Sequence, residues 1–221
     1  MKVFLAEQLQ KANRAVASDN RRLLAAHGVT AINIIGGPGA GKTTLLEKTL
    51  ERLAGRVKVG VIEGDIYTTR DAERLDRPGV EVIQINTRGA CHLDANMVGQ
   101  VLGELALPDL DLLFIENVGN LVCPAEFDLG EDCKVAVLSV AEGGDKPAKY
   151  PLVFHEATAA VLTKSDLLPY TDFRPEQVTE EILGINPELD MFLLSARSGE
   201  GIDRWCDWLE RQLARKGFAI A

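Results

Sequence analysis

The chain has 221 residues, a length that suits one compact domain, and 33 acidic against 24 basic residues give a formal charge of −9. That charge excludes a general binder of nucleic-acid backbones, and 46% apolar residues exclude a disordered chain. No apolar run is long enough to span a membrane, the N-terminus turns polar too early for a secretory signal, and four cysteines make no disulfide framework, so a cytoplasmic, reducing compartment is expected.

In chain order, residues 2–26 read as one amphipathic helix, with Phe4, Leu5, Leu9, Ala12, Val16, Leu23 and Leu24 near one stripe, and His27-Gly28 as its stop. Apolar runs then follow at 31–35, 57–62, 80–85, 110–115, 134–140, 158–162 and 191–194, mostly continuous, as strands covered on both faces require. Helical patterns sit between them at 43–54, 70–76, 93–106, 175–183 and 201–215. The alternation predicts an α/β fold of three layers, a mostly parallel sheet between helices, with ligands beyond the carboxyl ends of the strands.

The first strand runs into Gly36-Gly37-Pro38-Gly39-Ala40-Gly41-Lys42-Thr43, which matches G-x-x-x-x-G-K-S/T and opens a helix. Glycines let the backbone curl so that several N–H groups meet one anion, and the helix N-terminus adds its positive end. Gly37, Gly39, Ala40, Gly41, Lys42, Thr43 and Thr44 are therefore candidate phosphate-binding residues, with Lys42 facing the β and γ phosphates and Thr43 suited to Mg²⁺. A dinucleotide fingerprint fails, because position 42 is lysine where that pattern needs glycine. The expected fold is thus of the P-loop NTPase type, one domain over 1–221 with 1–28 as an N-terminal helical extension.

Two further strands end in acids, Glu63-Gly64-Asp65 and Glu116-Asn117-Val118-Gly119. A nucleoside triphosphatase needs a carboxylate near Mg²⁺ and a group that orients water. Asp65 suits either role, Glu116 suits the Mg²⁺ shell, and the Gly119 N–H suits the γ-phosphate, which makes Lys42, Asp65 and Glu116 the candidate catalytic set. Glu63 reads as an ordinary solvated acid at a strand end. For the base, one carboxylate accepts both the N1–H and N2–H of guanine, and adenine lacks that pair. Asp166 in Thr163-Lys164-Ser165-Asp166 supplies the acid, Lys164 can lay its stem on the ring, and Ser195-Ala196 follow the next strand. These strings resemble the N-K-x-D and S-A-K loops of G proteins, with Thr163 where asparagine is usual, so guanine is expected over adenine. Cys91-His92 and Cys123-Pro124 offer thiolate and imidazole, which suit Zn²⁺ or Ni²⁺; the alternative is buried cysteines with an incidental histidine. Cys133 and Cys206 read as core.

Taken with Glu63-Gly64-Asp65, Cys91-His92-Leu93-Asp94-Ala95, Asn120-Leu121-Val122-Cys123-Pro124 and Glu142-Gly143-Gly144-Asp145-Lys146-Pro147, the chain resembles the hydrogenase nickel-incorporation GTPases of HypB type, a SIMIBI-class P-loop family, from about residue 13 onward. The resemblance implies a Mg²⁺-dependent GTPase binding GTP and GDP, a homodimer when GTP-bound, and delivery of nickel to [NiFe] hydrogenase with a nickel metallochaperone and the hydrogenase large subunit as partners. It also implies Ni²⁺ or Zn²⁺ on Cys91, His92 and Cys123 at the dimer interface, and Thr43, Asp65 and Glu116 at Mg²⁺. Lys146 and Lys149 would lie near the partner's nucleotide.

The chain shows no Cys-rich N-terminal motif or histidine run, so bulk nickel storage is not expected. Three rival functions remain open on sequence. A urease nickel-insertion GTPase typically has Cys-Pro-His, where Ala125 stands here. A P-loop small-molecule kinase would need lid arginines from among Arg70, Arg74, Arg77 and Arg88. A non-catalytic metallochaperone would use nucleotide only to dimerise. Residues 2–26 either dock a partner or cap the domain's own core.

Overall fold

The computed structural model describes residues 5–217, with side chains from residue 10 onward. Residues 2–4 of the expected first helix, Phe4 among them, lie outside the described residues, as do the side chains of Leu5 and Leu9. Helix α1 spans Leu5–Ala26 and stops where Gly28 turns the chain into β1 (Thr30–Gly36). Seven strands follow the expected rhythm: after β1 come β2 (Val59–Asp65), β3 (Val80–Asn86), β4 (Leu112–Glu116), β5 (Cys133–Ser139), β6 (Ala159–Thr163) and β7 (Asp190–Leu193). Their order in the sheet is β3-β2-β4-β1-β5-β6-β7, and every neighbouring pair is parallel. The sheet is therefore wholly parallel rather than mostly so.

The helices at the expected positions are α2 (Lys42–Leu53), α3 (Arg70–Leu75), α4 (Ala95–Leu102), α8 (Pro175–Ile185) and α9 (Ile202–Arg215). The pattern at 93–106 gives a shorter helix than expected. Asp94 accepts from Met97 N and so fixes the start at Ala95, Gly103 closes it, and a 3₁₀ turn at Leu107–Asp109 takes up the rest. Three short helices were not expected: α5 (Cys123–Glu126), α6 (Lys146–Lys149) and α7 (Pro151–Glu156). Each has a proline at its first or second position that presets the first turn, and each is too short for a periodic stripe.

The alternation along β1 shows how the layers form. Ile32 and Ile34 point into one core with Leu45 and Leu46 of α2 and Trp205 and Trp208 of α9. Ala31 points to the opposite face, with Leu24 of α1 and Val98 of α4, and Ile35 joins Phe154 of α7 and Ile182 of α8 there. Both faces are covered, as a parallel sheet requires. Among the described residues no helix is long and apolar enough to cross a membrane.

Candidate functional site

With β1 in the middle of a parallel sheet, the loops after β1, β2, β4, β6 and β7 open on one rim. The loop after β1 curls through Gly39 (φ 76°) and Gly41 (φ 91°), backbone conformations that L side chains resist, and α2 begins at once with Lys42. Lys42 Nζ donates to the Gly36 carbonyl at 3.3 Å, and its side chain is buried. The Gly37–Thr43 turn thus presents backbone N–H groups, a helix N-terminus and an ammonium group to one point. Pro38, Gly39, Gly41, Lys42, Thr43 and Thr44 line a cleft of about 520 Å³ together with Asp65, Glu116, Gly119 and Lys164.

Glu116 ends β4 beside this loop. Its Oε1 accepts from Thr43 Oγ1 at 2.8 Å, while its buried Oε2 has no hydrogen-bond partner among the described residues. Burial pushes its carboxyl up to about 7, against the pull of Lys42 and Thr43. A buried, orphaned carboxylate oxygen next to a threonine hydroxyl at a phosphate cradle is the donor set a hard divalent cation takes. Asp65 is half-buried; its Oδ1 accepts from Tyr67 N at 2.7 Å and Thr68 N at 2.6 Å, which locks the turn after β2.

Glu63 is not the solvated acid the sequence suggested. Strand β2 continues past Ile62 to Asp65, so Glu63 lies within the strand, in register with Glu116 on β4, and is 2% exposed. Burial, then Glu116 and Asp65, push it up to about 8. Its Oε2 also lacks a partner, and Glu63, Asp65 and Asp71 offer oxygens within 4.8 Å of one another. Arg74, one of the four arginines a kinase lid would draw on, is tied to Glu47 at 2.6 Å, Asp71 at 3.0 Å and Thr44 Oγ1 at 2.9 Å.

The end of β6 meets the phosphate loop from the other side, and the loop after β7 meets the segment that follows β6. Thr163 Oγ1 donates to the Ala40 carbonyl at 2.6 Å, and Lys164 Nζ donates to the Gly39 carbonyl at 2.7 Å. Asp166 Oδ1 accepts from Ser195 Oγ at 2.6 Å, which orients the carboxylate. Ala196, half-buried, follows on the same turn. Gly119 packs over the phosphate loop from β4, where a Cβ would come within 3.1 Å of Pro38 backbone atoms.

Cys91, His92 and Cys123 come together from the loop after β3 and the start of α5, their ligand atoms within 4.8 Å of one another. Cys91 Sγ lies 3.6 Å from His92 Nδ1, and the His92 ring packs on Phe127 with centroids 4.0 Å apart. Burial holds His92 below its usual value, against Asp94 and Glu126, and so favours the neutral imidazole that ligates metals. Contact with Cys91, then burial, pushes the Cys123 thiol up, so that a metal would displace its proton. Cys133 and Cys206 are buried apart from this cluster, and burial pushes Cys206 up to about 12. Lys149 pairs with Asp145 at the start of α6, and Lys146 lies over the Tyr150 ring.

Residues 30–193 match the family described as CobW/HypB/UreG, nucleotide-binding domain. The chain is similar to the hydrogenase maturation factor HypB of Escherichia coli K12, 52% identical over 204 residues, covering 92% of this chain and 70% of that protein. It is 40% identical to the probable hydrogenase maturation factor HypB of Methanocaldococcus jannaschii, covering 95% of each. The crystal structure of HypB from Helicobacter pylori in complex with nickel superposes with a TM-score of 0.87 at 36% identity, covering 94% of this chain and 98% of that one.

Proposed function

The chain belongs to the CobW/HypB/UreG family, among the HypB hydrogenase maturation factors, and from that premise we propose that it is a GTPase whose turnover gates a nickel- or zinc-holding centre. The observation that carries this reading is a single loop. It leaves β4 at Glu116, which grips Thr43 of the phosphate loop, and it ends at Cys123, which joins Cys91 and His92.

Lys42 balances charge on the β and γ phosphates, and the curled main chain holds the polyphosphate in place. Thr43, Asp65 and Glu116 would hold magnesium, which when bound neutralises charge spread over the phosphate oxygens. Gly119 N–H meets the γ-phosphate, and Asp166, with Ser195 and Ala196 alongside, selects guanine. Turnover is slow, because Arg74 is already paired and no glutamine flanks Gly119. Cys91, His92 and Cys123 offer three ligands to the cargo ion, and a second copy or water completes four. The protein then acts in the cytoplasm as a GTP-bound homodimer that passes nickel from a metallochaperone partner toward the large subunit of a [NiFe] hydrogenase.

The experiment is a nickel titration of the GDP form and of a form bound to a non-hydrolysable GTP analogue, with mass measured in parallel. Different nickel affinities in the two forms and a dimer only with the analogue support the reading. Equal affinities together with an unchanged mass overturn it.

A further inference from the structure

Past Thr30 at its start, strand β1 is apolar on both faces except at Asn33, which is fully buried. Asn33 begins a hydrogen-bonded chain through the interior. Its Nδ2 donates to Glu131 Oε1 at 3.2 Å, and its Oδ1 accepts from Asn117 Nδ2 at 3.2 Å. Asn117 is 1% exposed, and its Oδ1 accepts from two backbone groups, Leu93 N at 3.0 Å and Val118 N at 3.1 Å. Two N–H donors on one atom fix that atom as oxygen, so the direction of the whole chain is settled. Buried amides cost several kcal/mol unless satisfied, and these are satisfied by one another, by Glu131 and by that backbone.

The two amides on Asn117 Oδ1 belong to different sites. Val118 lies between Glu116, which holds Thr43, and Gly119, which rests on Pro38. Leu93 directly follows Cys91 and His92. Beyond Leu93 the metal-bearing segment is anchored at Ala95, whose N–H reaches Asn13 Oδ1 at 2.8 Å and whose carbonyl receives Asn20 Nδ2 at 2.8 Å. The same two α1 amides hold Asp128 O at 2.7 Å and Leu129 O at 3.0 Å, just past α5 with its Cys123. Helix α1 is thus a fixed strap behind both ligand-bearing segments. The nucleotide loop reaches the Cys91–His92 segment at two points, a surface bond from Asn120 Nδ2 to the Cys91 carbonyl at 3.3 Å and the buried tie of Asn117 Oδ1 to Leu93 N.

Resting on the reading of a metal centre gated by nucleotide, we propose that Asn117 is the positioning residue that passes the movement of Val118–Gly119 to the Cys91–His92 segment through its doubly used side-chain oxygen. A shift of Val118 N toward or away from that oxygen alters the bond left for Leu93 N, and His92 and Cys91 pivot about the anchored Ala95. Coupling of this kind is reciprocal, so metal on Cys91 and His92 biases the nucleotide loop by the same factor.

The test compares nickel affinity in the GDP and GTP-analogue forms of wild type and Asn117→Ala, with guanine-nucleotide affinity measured alongside. The wild-type ratio between the two forms is expected to reach at least about fivefold. In Asn117→Ala it falls to within about twofold of unity, while nucleotide affinity stays within about threefold. A wild-type ratio retained in the variant overturns the role of Asn117 and leaves the gating reading intact. A wild-type ratio of unity overturns both. Amide hydrogen exchange on the wild-type protein tests the same bond without a substitution. Leu93 and Val118 protection should change together between the two nucleotide forms, and Leu93 protection that ignores the nucleotide overturns the proposal.

Discussion

The phosphate cradle and the thiol–imidazole corner share one rim of the sheet and are built on opposite plans. The cradle is made of main chain. Apart from the exposed Pro38 and Gly39 and the half-buried Gly41 it is buried, it runs directly into a long helix, and it is tied by Thr163 and Lys164 to the loop after β6. The corner is made of soft side chains on a turn and on a four-residue helix, with Cys91 exposed, and its order is imposed from behind by Asn13, Asn20 and Asn117. An anion site assembled from dipoles has to be in place before its ligand arrives. A metal site draws its final geometry from the ion, so a looser frame suffices, and that looseness is what lets a neighbouring loop move it.

If the two regions are separable in this way, single substitutions should divide them. The largest effect is expected from Lys42→Ala, which lowers GTP turnover at least about 100-fold and leaves nickel affinity of the nucleotide-free protein unchanged. Its counterpart, Cys123→Ala, removes a ligand and weakens nickel binding by more than the ~10–100-fold typical of losing an outer-shell partner, with GTP affinity intact. Steady-state hydrolysis and metal titration on both variants check this. Loss of both functions in either variant breaks the comparison. Next in size is Asp166→Asn. It keeps the Ser195 contact but loses a carboxylate that accepts two donors, so preference for guanine over adenine nucleotides falls by about 1–3 kcal/mol, about 5–150-fold, read from competition binding.

A smaller effect concerns stability and pH. Glu63 and Glu116 hold protons in the folded protein up to about 8 and about 7, whereas the unfolded chain releases them near 4.5. Between those values the folded state binds more protons, so without magnesium or nucleotide its stability falls as pH rises from about 5 to 8. Glu63→Gln removes one of the two groups and flattens that slope in thermal melts recorded across the range. An unchanged slope would mean that Glu63 is already ionised in the fold.

How far the sequence foretold these two regions follows from the same difference in construction. The cradle was legible because its geometry fixes residue types at fixed spacing: glycine where φ is positive, lysine and threonine at the helix start. The corner was legible as ligand types, but α5 was not, since four residues carry no period. Glu63 was misread because the apolar run ends at Ile62 while the strand does not; β2 goes on to pair Glu63 with Gln84 on one side and Glu116 on the other. Asn33 carries a signal of its own. An asparagine inside a run covered on both faces has to find a buried partner, and that partner is Asn117.

Thr163 gives the smallest and finest test. It stands in the base-reading loop where asparagine is usual, and it lacks the amide with which an asparagine would brace base and phosphate loop. The hydroxyl, buried and 2.6 Å from the Ala40 carbonyl, supplies the brace to the phosphate loop by itself. It touches the cradle, and on the proposed reading discrimination is left to Asp166. Thr163→Val, which keeps the shape and strands the Ala40 carbonyl, should therefore weaken GTP and GDP alike by about 0.5–1.5 kcal/mol, roughly two- to tenfold, with no change in the guanine-to-adenine ratio. A change in that ratio would place the threonine among the groups that read the base, and the cradle's independence from base selection would fail with it.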